Sequence, residues 1–320
     1  MSDDYQITVA DDWSAWPEDL DPAKAADQLT PLLPDDPVES LIQMLRTLPT
    51  IIGAAPTPIM DSSQMAADRD AARGLLDLPM QCHNYLAGSA DFLKGFYRIM
   101  RPRPNILEIP RFAAYPLARG VIESSGQTVW VLSPAKQRDR FVRLLQLEKA
   151  EADQDRKYIK TATALHDNDT HEKRSEIAKV QANANDARHL RLKRLDEAAS
   201  ALGIDRKEFE GGLPGGYDAV IGQALADSHE YDSDDQTIGT ESYWTGRFGA
   251  SVWTFISGLS HPSMSRGWAG SIHELGKIGA DGYREVKTSA NPMIIRDALA
   301  VALRLHMRAL RLWAQACSAP

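Results

Sequence analysis

The sequence predicts an all-α fold, a mainly helical bundle with a long charged helical hairpin and a small C-terminal β-hairpin. Three observations lead to this prediction. Apolar residues recur at spacings of three and four in long segments, which is typical of helices with one buried face. Prolines punctuate the chain between these segments. Strand-like patterning is convincing only near residues 271–287.

Residues 1–37 are predicted to be an acidic, proline-rich N-terminal arm without long regular elements. Residues 1–40 hold eleven Asp and Glu against one Lys, a net charge of −10, so the remaining 280 residues sum to +2. Apolar residues indicate that the arm docks on the body, namely Trp13, Trp16, Leu20, Leu32 and Leu33. Such an arm keeps a protein soluble, covers a basic patch on its own body or mimics a polyanion, and the sequence leaves these roles open.

Composition excludes several classes of protein. With 320 residues, 43% hydrophobic and 25% charged, the chain can bury a sizeable core. Cys82 and Cys317 lack metal-ligand spacing and no CxxC or HExxH pattern occurs, so we expect neither a metal nor a cofactor. The acidic N-terminus is not a secretory signal, and no apolar run approaches the roughly 20 residues of a membrane helix. We therefore expect a cytoplasmic protein with no membrane partner.

Segment 38–133 is predicted to form the first half of the helical core. Helices are expected over about 38–48, 63–99 and 110–132, with connections rich in proline between them. Pro79 is expected to break or kink the second helix.

Segment 134–210 is predicted to be the long charged hairpin. It contains seventeen Lys and Arg against fifteen Asp and Glu, and between about 135 and 202 it lacks proline. We expect Ser133 as helix cap and Pro134 as first helical residue, followed by two paired helices that break near 165–169. Mixed charges indicate solvated outer faces.

Segment 211–320 is predicted to complete the helical core and to carry the β-hairpin at 268–288. Asn291 as cap and Pro292 as first helical residue predict a final helix to about Ala316. The expected elements, in order, are a glycine loop at 211–216, a short helix at 217–228, an acidic loop at 229–240, a helix at 243–263 and strands at 271–278 and 283–287.

The helix predicted over 243–263 holds the candidate site. One broad face is apolar, comprising Trp244, Phe248, Val252, Phe255, Ile256 and Leu259. A second, narrow stripe holds most of its polar groups, namely Tyr243, Arg247, Ala250, Thr254, Ser257 and His261. A mostly buried helix needs partners for such groups, so the stripe is a candidate functional site.

His261 is the candidate catalytic residue of this stripe. It precedes Pro262, so it lies at or just past a helix end, where the helix dipole favours imidazolium and a proton-transfer role. Ser257 lies one turn earlier and can bond the ring or a backbone carbonyl. The alternative is a buried histidine that closes a helix end with structural hydrogen bonds.

Arg119 and Glu123 form a second candidate group. They are four residues apart in an apolar helix and share a face with Gln127. The pair is either a rim salt bridge or a buried partner of another polar stripe. We predict that Glu123 orients His261.

Two motifs carry a resemblance to a known family. ARGVIESSGQTVWVLSP, followed by Arg138, Arg140 and Arg143, and then ISGLSHPS before a hairpin and a final helix, resemble a group of uncharacterised bacterial helical proteins. Those proteins are similar in turn to the HEPN superfamily. The resemblance covers about 110–145 and 240–315 and implies a HEPN-like bundle. Active HEPN ribonucleases carry an arginine four to six residues before a histidine near a helix end and commonly act as dimers. The resemblance therefore matches His261 to that histidine and implies a homodimer.

The chain lacks the arginine that the family pattern places before the histidine. No arginine lies four to six residues before His261, and Arg247 is fourteen residues upstream, about 21 Å along a helix axis. Arg266 and His273 have the spacing, but across a loop and a strand, which we interpret as coincidence. A metal-free RNA-cleaving site needs a base and a cation. With His261 as base, the cation would come from Arg119, from Arg266, or from Arg247 of a second chain.

The missing arginine favours a non-catalytic or degenerate HEPN-like module that binds a protein or nucleic-acid partner, in defence or growth regulation. The alternative is a metal-independent HEPN-type ribonuclease or nucleotide-acting enzyme that uses His261. The candidate catalytic residues are His261, Ser257, Glu123 and Arg119. The candidate binding residues are Arg247, Tyr243, Thr254 and Arg266. The expected partner is RNA or protein.

Overall fold

The structure is a computed structural model that describes residues 5–8, 36–54, 56–103, 106–164, 171–232, 238–260, 264–278 and 284–319. Within these ranges it is mostly helical, with two pairs of antiparallel strands, so the predicted all-α class with a small β-hairpin is confirmed. The helices are α1 (Pro37–Gly53), α2 (Gln64–Ala71), α3 (Leu78–Met100), α4 (Ala114–Leu132), α5 (Gln137–Ala164), α6 (His171–Ala201), α7 (Gly216–Asp232), α8 (Ile238–Leu259), α9 (Met264–Ala269) and α10 (Pro292–Cys317). The strands are β1 (Tyr5–Thr8), β2 (Ile106–Ile109), β3 (Ser271–Ile278) and β4 (Arg284–Ala290).

Two compact units make up the chain. The first comprises Met1–Thr57, His83–Trp130 and Asp218–Gln315, and it contains both strand pairs. The second comprises Pro58–Cys82, Val131–Tyr217 and Ala316–Pro320, and it contains the charged hairpin.

Helix α10 supplies much of the core of the first unit. Its predicted start is confirmed: Asn291 accepts a hydrogen bond from the Met293 N–H at 3.0 Å, and Pro292 is the first helical residue. The spacing of its apolar residues predicts an inner stripe of Ile295, Leu299, Leu303, His306, Leu310 and Trp313. All of these except Leu310 are buried.

Glycines bring α7 and α8 into close contact. A Cβ at Gly246 would lie 2.6 Å from the carbonyl oxygen of Gly222, and a Cβ at Gly249 would lie 1.7 Å from the Leu225 side chain. The two helices therefore approach more closely than any side chain at these positions allows. This contact sets which side of α8 faces the core.

The two strand pairs differ in how well the sequence predicts them. β3 and β4 form the predicted hairpin, paired antiparallel from Ser271 opposite Ala290. The pairing of β1 with β2 is not predicted, because the four residues of β2 are too few for a recognisable alternation. The arm is predicted to lack long regular elements, and the one element described within residues 5–8 is this strand of four residues. The arm's tryptophans and leucines lie outside the described residues.

The second unit contains the predicted long hairpin of α5 and α6. Arg191 of α6 donates hydrogen bonds to Glu148 and Glu151 of α5, at 2.7 and 2.5 Å. The segment predicted as the break lies outside the described residues, between the two helices. Charged contacts across the hairpin thus explain part of its mixed charge, while its other charges stay on exposed faces.

Prolines end helices less often than the sequence predicts. α1 continues through Pro49 to Gly53, because the buried Leu48 and Ile51 on either side outweigh the lost hydrogen bond. The segment predicted as one helix over 63–99 is two helices, α2 and α3, so the predicted break is present and lies just before Pro79. Pro79 itself lies in the first turn of α3, where a missing N–H is tolerated and the Asp77 carboxylate caps the Met80 N–H at 2.9 Å.

Other predicted boundaries also need correction. The fourth helix begins at Ala114 rather than near 110, after the unpredicted β2. α5 begins at Gln137 rather than at Pro134, whose carbonyl accepts a hydrogen bond from Arg140 at 3.0 Å. α7 runs to Asp232, so the first residues of the predicted acidic loop are helical.

Candidate functional site

Arg119, Glu123 and Trp253 form a polar contact between α4 and α8. The Glu123 carboxylate accepts hydrogen bonds from Arg119 Nε at 2.8 Å and from Trp253 Nε1 at 3.1 Å. The Arg119 guanidinium lies 5.8 Å from the centroid of the Trp253 ring. About 30% of the Arg119 side chain and 27% of the Glu123 side chain are exposed. The carboxylate thus connects two helices, which is a structural use of both its hydrogen bonds.

This contact bears on the predicted pairing of Glu123 with His261. His261 lies outside the described residues, two positions beyond the last residue of α8, so that pairing stays a prediction. Glu123 already balances the charge of Arg119 and holds an indole, an arrangement that stabilises the helix pair without any histidine.

The predicted polar stripe of α8 is divided between solvent and interior. Arg247 and Thr254 are exposed, and the Thr254 hydroxyl donates to the Ala250 carbonyl one turn earlier at 2.8 Å. Ser257 Oγ is buried and makes no hydrogen bond with the described residues. The side chains of Tyr243 and Arg266 lie outside the described part of the chain. The described side chains of the stripe therefore do not come together at one site.

The predicted apolar face of α8 is partly wrong. Phe248 is more than half exposed, whereas Gly246 and Gly249 are buried together with Ile256 and Leu259. The reason is the close contact with α7, which turns the glycine side of α8 toward the core. Glycines do not contribute to an apolar spacing pattern, so the pattern misplaces the buried face.

A buried serine–histidine cluster joins α3, α4 and α10. Ser89 Oγ lies 2.6 Å from Ser125 Oγ and 2.8 Å from His306 Nδ1. Burial lowers the pKa of His306 to about 4, so the imidazole is neutral at neutral pH. A hydroxyl beside an imidazole resembles an activated nucleophile. Because both serines and the histidine are buried, no substrate reaches them, and the cluster satisfies polar groups in the core.

The two cysteines do not offer a nucleophile either. Cys82 and Cys317 are free thiols, and both are buried. Burial raises the pKa of the Cys82 thiol, and it raises that of Cys317 to about 11, so neither is a thiolate at neutral pH. Among the described residues, no three His, Cys, Asp or Glu side chains are grouped to hold a metal ion.

An exposed aromatic surface lies where β2 leads into α4. Phe112 packs against the backbone of Gly267, whose added Cβ would lie 3.1 Å from the Phe112 ring. Next to that glycine, Trp268 is 51% exposed, and Phe112 is 39% exposed. We call Phe112 and Trp268, with Arg111 beside them, the aromatic patch.

Local contacts hold the aromatic patch in place. The Arg111 guanidinium lies 4.9 Å from the centroid of the Phe112 ring, and its Nε donates to Ser271 Oγ at 3.4 Å. His273 stacks on Trp268 with ring centroids 3.7 Å apart and planes inclined by 14°. Its Nε2 lies 2.6 Å from the Trp268 carbonyl oxygen. The large side chains are thus ordered before any partner binds, which lowers the entropic cost of binding.

The aromatic patch cannot be identified from the sequence. Trp268 is the first residue of the predicted hairpin and resembles an ordinary core residue. Its exposure follows from tertiary packing, which no spacing rule supplies. One sequence feature does indicate exposure. Trp268 lies between Gly267 and Ala269, which are too small to cover its side chain.

No protein-family model, curated protein or solved structure matches the chain. In the described part of the chain, no helix combines the length and the apolar character needed to cross a bilayer.

Proposed function

We propose that the chain is a non-catalytic, HEPN-like helical module that binds a protein partner through the aromatic patch. The observation that carries the proposal is the pair of large aromatic side chains, Phe112 and Trp268, each more than a third exposed, beside an arginine. Large exposed apolar patches mark interaction sites, and protein interfaces are enriched in aromatic residues and arginine. Cytoplasmic residence, the homodimer and the role in defence or growth regulation remain predictions.

Two further observations favour binding over catalysis. Glu123 and Arg119, two of the four candidate catalytic residues, are engaged with each other and with Trp253. The cluster of Ser89, Ser125 and His306, in the described part of the chain, is buried. Neither group presents a base and a cation to a substrate phosphate.

A protein partner is favoured over RNA by charge. Residues 41–320 sum to only +2, and a dedicated nucleic-acid-binding domain is usually strongly basic. The patch itself contains one arginine among apolar side chains, which resembles the centre of a protein interface more than a phosphate-binding track.

Display of random peptides against the immobilised full chain tests the proposal. Peptides should be enriched on the wild type, and a Phe112→Ser/Trp268→Ser variant should bind the enriched peptides at least tenfold more weakly, a loss typical of hot-spot residues. Val180→Ser removes another exposed apolar side chain, one that lies in the second unit, and should leave their affinity unchanged. Peptides that bind the wild type and the patch variant equally well would contradict the proposal.

The ribonuclease alternative has its own assay. Wild type and His261→Ala are incubated with RNA in EDTA, and the folded state of both is checked by circular dichroism. The proposal predicts no cleavage by either protein. Cleavage by the wild type that a folded His261→Ala variant lacks would replace it with a HEPN-type ribonuclease.

A further inference from the structure

The N-terminal strand β1 adds to β2 from almost one hundred residues away in the sequence. The pairing is antiparallel, with Tyr5 opposite Ile109, Gln6 opposite Glu108, Ile7 opposite Leu107 and Thr8 opposite Ile106. Among the described strands, β2 has β1 as its only partner, and the two form a separate sheet. This is strand addition, the backbone geometry by which many domains bind extended peptides.

β2 is anchored in the core through one of its faces. Leu107 and Ile109 are fully buried, whereas Ile106 and Glu108 are half-buried. Opposite residues of an antiparallel pair share a face, so positions 5 and 7 lie on the face of the buried Ile109 and Leu107. A four-residue, two-stranded sheet is marginal by itself, so the added strand is exchangeable.

Charges in the sequence match across this pair of strands. Asp3 and Asp4 precede β1, and Asp11 and Asp12 follow it. β2 is preceded by Arg103 and followed by Arg111. The antiparallel direction matches each acidic flank of β1 with a basic flank of β2.

The strand-addition site and the aromatic patch are continuous. β2 ends at Ile109, and Arg111 and Phe112 follow within three residues. The end of β2 opposite Tyr5 is therefore the end that leads into the patch. A peptide that replaces β1 and is longer at its N-terminus runs toward Phe112.

We propose that β2 and the aromatic patch form one docking site for an extended acidic peptide, and that β1 occupies the strand-addition part of it in cis. The favoured peptide has an acidic residue, then an aromatic and a β-branched residue at alternate positions, as Tyr5 and Ile7 stand in this chain. The partner must displace β1, which makes the N-terminal segment autoinhibitory. This inference rests on the proposed function and names the chemistry of its partner.

A disulfide in the full chain tests the register. Gln6→Cys/Glu108→Cys joins two directly opposite positions, whose Cα separation in an antiparallel pair suits a disulfide. Oxidation should give a cross-linked monomer on a non-reducing gel. Thr8→Cys/Glu108→Cys, two positions out of register, should cross-link poorly. A cross-linked dimer would overturn occupation in cis, and equal cross-linking of both variants would overturn the register.

A labelled peptide with the sequence MSDDYQITVA tests the docking site by fluorescence anisotropy. The full-length Tyr5→Ser/Ile7→Ser variant should bind it at least tenfold more tightly than the wild type, because its own strand is weakened. The matched control Gln6→Ser/Thr8→Ser changes the opposite face of the strand and should bind like the wild type. A peptide in which the tyrosine and isoleucine are serine should not bind.

Two results would overturn the docking proposal. One is that the peptide binds neither full-length protein, and the other is that it binds wild type and Tyr5→Ser/Ile7→Ser equally. Neither result touches the proposed function, which fails only if displayed peptides bind independently of Phe112 and Trp268 or if RNA is cleaved.

Discussion

The ion pair between Asp68 and Arg140 provides the largest stability effect that the structure predicts. Asp68 of α2 is 0% exposed and Arg140 of α5 is 2% exposed. The carboxylate accepts from Arg140 Nε at 2.9 Å, from Arg140 Nη2 at 2.7 Å and from Gln137 Nε2 at 2.9 Å. Arg140 Nη1 donates to the Pro134 and Ala135 carbonyls. We predict that Asp68→Ala leaves a buried guanidinium that keeps only its carbonyl partners.

The size of the destabilisation follows from the loss of the Asp68 carboxylate. Removing one member of a buried pair costs about 3–5 kcal/mol, because the remaining charge stays desolvated. The variant also loses the hydrogen bond from Gln137, which contributes about 1 kcal/mol. These losses overlap, so we expect a total loss near 4 kcal/mol, a large share of the ~5–15 kcal/mol that stabilises a typical domain.

Urea unfolding followed by circular dichroism measures the effect. Asp70→Ala is the matched control, since Asp70 lies two positions along the same helix and binds Arg73 at 2.6 Å on the surface. The exposed Asp70→Ala change should leave the unfolding midpoint almost unmoved. Asp68→Asn, which keeps the size and one acceptor, should fall between Asp68→Ala and the wild type. If Asp68→Ala and Asp70→Ala shift the midpoint equally, the assignment of a buried, stabilising pair is wrong.

Three further predictions concern the first unit. Gly246→Ala should destabilise the protein by about 1–2 kcal/mol, because the new Cβ meets a backbone oxygen at 2.6 Å. Gly88→Ala, whose new Cβ has its nearest contact at 3.8 Å, should stabilise the protein by up to ~1 kcal/mol. Thermal unfolding shows whether the two changes in stability have opposite signs. Burial lowers the pKa of His306 from about 6.5 to about 4, so the unfolded chain takes up this proton at a higher pH than the folded chain does. The free energy of unfolding should therefore fall by about 3 kcal/mol as the pH drops from 6.5 to 4. Urea titrations at pH 7 and 5 should show a smaller change with pH in His306→Asn than in the wild type, and an equal change would refute this role of His306. Trp253→Phe should lower the free energy of unfolding by about 1 kcal/mol, because it loses the hydrogen bond to Glu123. The same substitution should have a smaller effect in a Glu123→Ala background. Additive effects in that double-mutant cycle would show that the two side chains are not coupled.

Periodicity and caps predict the elements that depend on local sequence. The final helix follows from Asn291 and Pro292 together with its apolar stripe, and the charged hairpin follows from its unbroken helical composition. The salt bridge between Arg119 and Glu123 follows from their spacing of four. In each case the determining interaction lies within a few residues along the chain.

Features set by distant contacts are not predictable in this way. The orientation of α8 depends on glycines that meet α7, so Phe248 is exposed where the apolar spacing predicts burial. Trp253, outside both predicted faces, receives its partner Glu123 from another helix. β2 becomes a strand because the core buries Leu107 and Ile109 and the N-terminal segment pairs with it. The aromatic patch is visible only once the neighbours of Trp268 are known.

The proposed function depends most on the aromatic patch as the site that binds a protein. The most direct test is the dissociation constant of one display-selected peptide, measured by anisotropy for the wild type, Phe112→Ser/Trp268→Ser and Val180→Ser. We expect the patch variant to bind the peptide at least tenfold more weakly than the wild type, and Val180→Ser to bind it with unchanged affinity. Equal affinity for all three proteins would contradict it and would move the search for function to residues 261–263, where the candidate histidine lies.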